Sequence, residues 1–264
     1  MARGRNAWLA AAAAVLAVAG PACSGGDGGS GAGASSTTSG AATVTLPAPA
    51  TTTATLPPNG SRLAQANVAE LPVYDQPDAP APSRTFPNPW YVNDDHRYPV
   101  PQVFLVESVR PDGWVQVLLP VRPNGSIGWV RGSDVQLAVN TYRVVVSLSA
   151  HQITVYDGAA VFYQGPVATG APATPTPTGH YFIRVLQQAP DPNTVYGPYA
   201  YGLSSHSDVL TDFNGGDGEI GIHGNNDASA LGRSVSHGCI RMDNTAITNL
   251  TKVLPLGTPV DIDP

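Results

Sequence analysis

The residues best suited to chemistry lie in two short runs near the end of the chain. The first is Gly221-Ile222-His223-Gly224, and the second is Ser236-His237-Gly238-Cys239-Ile240-Arg241-Met242. Cys239 follows His223 by 16 positions and His237 by two. A thiol attacks as its thiolate, so it needs an imidazole to accept the proton or a positive field to hold the anion. The pattern therefore predicts a cysteine nucleophile served by a histidine.

The backbone around this cysteine is suited to stabilising negative charge on a substrate. Gly238 lets a substrate approach closely, and the amides of Gly238 and Cys239 are candidate donors to a tetrahedral oxyanion. If the segment is extended, His237 and Arg241 point to the same side as the thiol, so His237 is an alternative base to His223. Arg241 has two open roles: it either holds a substrate carboxylate or braces the loop by a hydrogen bond.

Composition excludes several classes of function. The 264 residues carry a formal net charge of −6, 12% of them are charged, and Lys252 is the single lysine. Nucleic-acid binding needs clustered Lys and Arg, and the same shortage argues against electrostatic attachment to anionic lipid. The 28 glycines and 26 prolines indicate many turns and little charged helix. We therefore expect a mainly β protein with no nucleic-acid partner.

The first 23 residues have the organisation of an export signal. A basic start precedes an apolar run from Ala7 to Ala19 that is too short to span a bilayer comfortably, and small residues follow it. Cys23 stands where a bacterial lipoprotein precursor carries its lipid, so we expect acylation there and a membrane anchor. Gly20 occupies a position at which that pattern favours leucine, so cleavage and secretion without acylation is the alternative.

Residues 24–60 are expected to be a disordered tether. They contain one charged residue, Asp27, no aromatic residue, and many Ser, Thr, Gly, Ala and Pro residues, so they cannot bury enough apolar surface to offset the entropy of ordering. If Cys23 is lipidated or removed, Cys239 has no disulfide partner, which is unusual in an exported protein and favours a chemical role. We expect the protein in the cell envelope, at the outer face of the cytoplasmic membrane or in the wall.

Two folded units are predicted after the tether, over residues 61–139 and 140–264. In the first, predicted strands flank the turns Pro111-Asp112-Gly113 and Pro123-Asn124-Gly125, and closely spaced hairpins of this kind suggest a small barrel. Its Gly128-Trp129-Val130 strand is similar to one that recurs in bacterial SH3-like domains. The resemblance implies a module that targets the wall or positions an enzyme.

In the second unit, a β meander leads to a predicted strand at 181–185, followed by a long irregular stretch up to Glu219. A structureless loop of that length is expected to be a lid or a substrate wall. Asp243 or Asn244 is expected to cap a short helix, and a last strand covers 260–262. Four lid residues are candidates for contact with a donor peptide: Tyr196, Tyr199, Tyr201 and His206.

The motifs together resemble one enzyme family. Ser236-His237-Gly238-Cys239 with Ile240-Arg241, the upstream pair His223-Gly224, and a Thr-Pro-Thr-Gly turn ending at Gly179 are similar to the L,D-transpeptidase (YkuD-type) catalytic domain over residues 141–263. The resemblance implies a β-rich domain with a short helix after the catalytic motif. It also implies peptidoglycan stem peptides as substrate, with no metal and no cofactor.

The same resemblance implies roles for single residues. Cys239 is expected to attack the carbonyl between the diamino acid at stem position three and the terminal D-alanine, forming a thioester that a neighbouring stem's amine resolves into a 3→3 cross-link. His223 is expected to be the base, oriented by the Gly224 carbonyl. Ser236, His237 and Gly238 complete the expected catalytic set, with His237 beside the oxyanion. Carbapenems are expected to acylate the thiol.

Three alternatives remain open at this point. Water in place of the amine makes the protein an L,D-carboxypeptidase, and the motif does not separate the two. A zinc hydrolase using His223, His237 and Cys239 lacks the close ligand pairs that zinc sites use. A non-catalytic wall-binding lipoprotein is the alternative from a different class, and the intact motif argues against it.

Overall fold

The computed structural model describes residues 55–92, 98–212 and 216–264. Strands dominate these ranges and form two main sheets, as expected for a mainly β protein. The predicted export signal, Cys23 and the tether up to residue 54 lie outside the described residues. The last residues of the predicted tether are described, and the Asn59 Nδ2 donates to the Gly158 carbonyl at 2.9 Å; the bounds of the tether stay a prediction.

The first unit contains five strands of one antiparallel sheet, in the order β8-β7-β6-β1-β9, and two small hairpin sheets, β2-β3 and β4-β5. Both predicted hairpins of the main sheet are present, because β6, β7 and β8 pair in succession around the two Pro-Xaa-Gly turns. Assignment of this unit to the SH3-like domains stays a prediction. The strands are β1 (Ser61–Ala66), β2 (Glu70–Val73), β3 (Arg84–Pro87), β4 (Trp90–Tyr91), β5 (Pro99–Val100), β6 (Val103–Val109), β7 (Trp114–Leu118), β8 (Ile127–Arg131) and β9 (Val135–Asn140).

The second unit is built on an eight-stranded sheet in the order β12-β11-β10-β19-β14-β15-β16-β18, and β13 and β17 form a separate parallel pair. Asp243 accepts a hydrogen bond from the Ala246 amide at 2.9 Å and caps the predicted helix, α1 (Asn244–Leu250). Two 3-10 turns cover Gly132–Asp134 and Ala228–Ala230. The strands are β10 (Tyr142–Ser147), β11 (Gln152–Asp157), β12 (Ala160–Pro166), β13 (Thr169–Gly170), β14 (Gly179–Gln188), β15 (Tyr199–His206), β16 (Glu219–His223), β17 (Ser234–Ser236), β18 (Ile240–Arg241) and β19 (Pro259–Asp263).

The predicted long lid is wrong in its extent. β14 continues to Gln188, and β15 pairs with it through the register Ile183↔Leu203 to Gln188↔Tyr199, so about a third of the supposed loop is strand. β15 escaped detection because it is buried at both faces over Leu203 to His206, where small polar residues break the alternation that marks a half-buried strand. The loop that remains between the two strands covers 189–198.

The two units contact each other through apolar and polar residues. Phe182 of β14 is fully buried in the core of the first unit, 6.3 Å from the ring centre of Phe104. Arg122 donates to the carbonyls of Ser207 at 2.8 Å and Asp217 at 2.7 Å, both in the β15-β16 connection. Across the ranges described, no helix has the length and apolar character that crossing a bilayer requires.

Candidate active site

Strand pairing brings the predicted base and the loop of the predicted nucleophile together in the second sheet. β16 and β18 are parallel, with Ile222 opposite Ile240 and His223 opposite Arg241, so His223 shares its face with Arg241. The Gly221 backbone, two positions before His223 on β16, bonds the Cys239 thiol. The structure therefore unites two residues that lie 16 positions apart in the sequence.

The thiol is held protonated by its surroundings. Cys239 is the free cysteine of the described ranges, and burial raises its pKa, as does the negative charge of Glu219. A hydrogen bond from the Gly221 backbone and the positive charge of Arg241 oppose this increase in pKa. Deprotonation thus requires a base close by rather than a thiolate formed in advance.

His223 meets that requirement. Its Nδ1 lies 2.6 Å from the Gly224 carbonyl oxygen, and since a carbonyl only accepts hydrogen bonds, Nδ1 carries the proton and Nε2 keeps its lone pair. Burial lowers the pKa of His223 to about 4, with a further decrease from Arg241 and an opposing effect of the Gly224 hydrogen bond. The imidazole is therefore neutral at physiological pH, in the tautomer that a general base needs.

Two asparagines, which the sequence analysis missed, fix the loop behind this histidine. Asn244 accepts a hydrogen bond from the Asn225 amide and donates to its carbonyl, each at 2.8 Å. The buried Asn225 side chain donates to the Met242 carbonyl at 2.7 Å. Asn244 also opens α1, so one residue couples the helix to the Gly224 carbonyl that orients the base. The sequence does not predict this pair of hydrogen-bonded asparagines, because each asparagine by itself is typical of a turn.

The loop between β14 and β15 packs against the His223 side chain. The Tyr196 ring lies 5.0 Å from the imidazole, centre to centre, at 54°. Next to it, a Cβ on Gly197 or on Gly224 would clash with Asn244, and the two glycine backbones approach each other closely. Tyr196 thus shields the base from water, and burial raises the pKa of its hydroxyl.

Hydrogen bonds hold the cysteine loop and change two of the predicted roles. Ser236 Oγ donates to the Cys239 carbonyl at 2.5 Å and accepts from the Gly238 amide at 3.1 Å, so this buried serine positions the loop. The Gly238 amide, predicted as an oxyanion donor, is occupied by that contact. Thr176 Oγ1 donates to the Gly238 carbonyl at 2.7 Å, which brings the Thr-Pro-Thr-Gly turn against the loop.

The alternative base, His237, depended on an extended segment, and the segment is not extended. Gly238 has φ +119°, a conformation that glycine tolerates and other residues rarely adopt. β17 ends at Ser236 and β18 begins at Ile240, so alternation does not run through the loop. His237 has an exposed side chain, whereas His223 is buried beside the thiol.

Comparison with known proteins identifies the family. The model of the L,D-transpeptidase catalytic domain (YkuD) matches residues 141–262. A Bacillus subtilis protein, YqjB, whose name places it among the L,D-transpeptidases, is 31% identical over 128 residues, covering 44% of this chain and 68% of that protein. The chain belongs to the L,D-transpeptidase family. The enzyme family predicted from the motif is therefore confirmed.

Two further L,D-transpeptidase relatives carry the name YkuD. The Bacillus licheniformis protein is 34% identical over 123 residues, covering 47% of this chain and 66% of that protein. The Bacillus subtilis protein is 29% identical over 174 residues, covering 63% and 98%. A solved L,D-transpeptidase from Mycobacterium smegmatis is 14% identical, covering 60% and 81%, with a TM-score of 0.40. Family membership rests on the sequence matches rather than on that superposition.

Two predicted substrate contacts of this L,D-transpeptidase, Tyr201 and His206, lie elsewhere, and a third, Tyr199, stays a prediction. Tyr201 is 1% exposed within the core of the second sheet, so it cannot touch a peptide. His206 is 2% exposed and pairs with Asp217 at 3.0 Å, while Asn124 bonds both its amide and its carbonyl; it belongs to the contact between the units. Tyr199 packs partly buried on the core, and its carbonyl accepts from the Gly224 amide at 3.1 Å.

Arg241, the fourth predicted substrate contact, lies at the site, and its charge acts on both His223 and Cys239. Its backbone is paired to Ala168 by two hydrogen bonds of 2.8 Å, and its charge lowers the pKa of both His223 and Cys239. Its Nε is buried without a hydrogen-bond partner among the described residues. Within the same ranges, no three His, Cys, Asp or Glu side chains converge as metal ligands would, so the zinc alternative gains no support from the geometry.

Proposed function

We propose that this L,D-transpeptidase forms 3→3 cross-links in peptidoglycan through a thioester on Cys239. The observation that carries the proposal is the pairing of β16 with β18, which brings the loop of the protonated Cys239 thiol against the strand that holds a neutral imidazole, whose tautomer is set by the Gly224 carbonyl. A paired nucleophile and base with a third group orienting the base is the arrangement of covalent acyl transfer. The family match supports the substrate class.

In the first half-reaction, His223 Nε2 takes the thiol proton while Sγ attacks the carbonyl of the bond between the diamino acid and D-alanine. The Cys239 amide and His237 are the proposed donors to the oxyanion, since the Gly238 amide is engaged with Ser236. The imidazolium then protonates the departing amine, and D-alanine leaves. A low histidine pKa makes this protonated ring a strong acid, which favours its return to the neutral form.

In the second half-reaction, the side-chain amine of a neighbouring stem attacks the thioester. The C–S bond breaks, its electron pair returns to Sγ, and the new amide joins the two stems. His237 is exposed and Arg241 is half-buried, so we propose that both stems approach the thiol past these two side chains. Arg241 favours the thiolate as leaving group because its charge lowers the pKa of the thiol.

We further propose that the enzyme works outside the cytoplasmic membrane, held there through Cys23 by lipid, with the first unit acting as an SH3-like positioning module. The sequence of residues 1–60 supports the location outside the cytoplasmic membrane. The hydrogen bonds from Arg122 to the β15-β16 connection support a fixed placement of the first unit. The proposed nucleophilic thiol also predicts acylation of Cys239 by carbapenems, whose strained amide offers the same electrophilic carbonyl.

The test is incubation of the purified protein with a disaccharide tetrapeptide, followed by liquid chromatography and mass spectrometry, beside Cys239→Ala. We expect a dimer lacking one D-alanine from the wild type and none from the variant. Tripeptide without dimer would identify an L,D-carboxypeptidase instead. No product from a wild-type protein that still sediments with sacculi would replace the enzyme by a wall-binding module.

A further inference from the structure

Glu219 is a buried carboxyl that the mechanism above does not use. It begins β16 and has the same parity along the strand as Gly221 and His223, so its side chain shares the catalytic face. Its negative charge raises the pKa of the Cys239 thiol, which places it within electrostatic reach of the nucleophile.

Two glycines form the part of the sheet between the Glu219 carboxyl and the Cys239 thiol. Gly202 of β15 pairs with Gly221 of β16, and Gly221 supplies the backbone hydrogen bond to the thiol. A Cβ on Gly202 would collide with Glu219 Oε1, so the carboxyl rests directly on the glycine backbone.

The charge of Glu219 is only partly compensated. Its Oε2 lies 3.5 Å from Arg184 Nη1, and its Oε1 is buried without a hydrogen-bond partner among the described residues. Burial raises the pKa of Glu219 to about 7; the nearby Arg184 opposes the rise and Asp217 adds to it. Asp217 is itself paired with His206, at 3.0 Å. The side chain as a whole is 28% exposed.

The second half-reaction requires a proton acceptor in addition to His223. An aliphatic amine arrives protonated, since its pKa is near that of lysine, about 10.4. Its nitrogen must lose two protons to become an amide, and His223 returns only one of them to the thiolate. A base whose pKa lies near the working pH is suited to accept the other.

We infer that Glu219 binds the ammonium group of the acceptor stem and removes one proton from it before the amine attacks the thioester. This inference rests on the proposed function. An N–H bond breaks and an O–H bond forms on the carboxyl; the freed lone pair makes the N–C bond, and the C–S electron pair returns to Sγ. The second proton passes from nitrogen through His223 to the thiolate, and Glu219 releases its proton to solvent.

A purely structural role is the competing explanation. The Arg184 guanidinium lies 4.0 Å from the Trp90 ring centre, so the Glu219-Arg184 pair also links the two units. A structural role predicts that both half-reactions weaken together when Glu219 changes. A role as acceptor base predicts that they separate, because acylation by the donor does not involve the amine.

The experiment uses Glu219→Gln, with Arg184→Met as the matched control that breaks the same ion pair and keeps the carboxyl. Each acyl-enzyme partitions between water, giving tripeptide, and amine, giving dimer; this ratio does not depend on the folded fraction. We expect the dimer-to-tripeptide ratio of Glu219→Gln to fall at least tenfold at pH 7.5, with acylation as fast as in wild type or faster because a charge opposing the thiolate is gone. Arg184→Met should keep a ratio within about twofold of wild type.

An unchanged ratio in Glu219→Gln would overturn the inference, as would an equal fall in Arg184→Met. A wild-type protein that forms tripeptide without dimer would also overturn it, since no acceptor is then used. A wild-type protein that forms no acyl-enzyme at all would instead refute the proposed function itself, so the two failures are distinguishable.

Discussion

Two histidines of the second sheet show how opposite surroundings set opposite protonation states. His223 on β16 is 3% exposed and bonds a backbone carbonyl, and burial lowers its pKa to about 4. His180 on β14 is 45% exposed and bonds the Asp261 carboxylate at 2.6 Å. That hydrogen bond raises the pKa of His180, against the smaller effect of burial.

The difference lies in the charge of the partner. A carboxylate favours imidazolium, whereas a neutral carbonyl orients the ring without offsetting the cost of burying a charge. Asp261 also pairs with Arg143, whose Nε lies 2.7 Å from Asp261 Oδ2. His180, Asp261 and Arg143 therefore form an ion-pair network, and His180 faces Glu107 of the first unit. We propose that the arrangement at His223 serves proton transfer and that the arrangement at His180 serves stability.

The largest expected effect comes from removing the base. His223→Ala should lower the rate of Cys239 acylation by about 1,000-fold, because general base catalysis contributes roughly 100- to 10,000-fold. His180→Ala should change that rate less than twofold, and His237→Ala should only slow it. Intact-protein mass spectrometry with a carbapenem measures all three rates. A larger loss in His237→Ala than in His223→Ala would reverse the assignment of the base.

A smaller effect is expected from the charge beside the pair. Arg241→Met should slow alkylation of Cys239 by iodoacetamide roughly tenfold at pH 8, since the positive charge of Arg241 opposes the rise in the thiol pKa. Arg241→Lys keeps the charge and should alkylate at an intermediate rate. Equal alkylation of the methionine variant and the wild type would show that the guanidinium does not act on the thiol.

The smallest effect belongs to His180. Because the pKa of His180 is raised in the fold, its pairing stabilises the protein fully below the unfolded pKa of about 6.5 and stops doing so as pH rises through the folded value. His180→Gln should therefore lower the free energy of unfolding at pH 5.5 by at most about 1 kcal/mol, allowing for solvent screening of a half-exposed pair. At pH 9 the difference should be close to zero. Thermal unfolding at both pH values measures it, and a loss of equal size at both would show that charge is not involved.

Local motifs were enough to predict the enzyme family, the capped helix and the two hairpins of the first unit, whereas the nucleophile and the base stay predictions. The remaining features of the site depend on which strands and side chains pair in the fold, and local motifs do not show this. The Gly238 amide is lost to Ser236 Oγ because of a turn with positive φ, which spacing alone does not reveal. Tyr201 and His206 were misplaced because a strand buried on both faces was taken for a lid. Asn225 and Asn244 act as a pair across 19 positions, and only the fold brings them together.

The central claim is that catalysis begins from a protonated thiol and a neutral, buried His223. The most direct test is the pH dependence of Cys239 acylation between pH 3.5 and 8, measured in wild type and in Glu219→Gln so that the carboxyl titrating near pH 7 does not contribute. We predict a rate in Glu219→Gln that is flat from about pH 5 to pH 8 and falls only near pH 4. A rate that is half-maximal near pH 6.5 in Glu219→Gln would contradict the account, because a solvated histidine would then be the base.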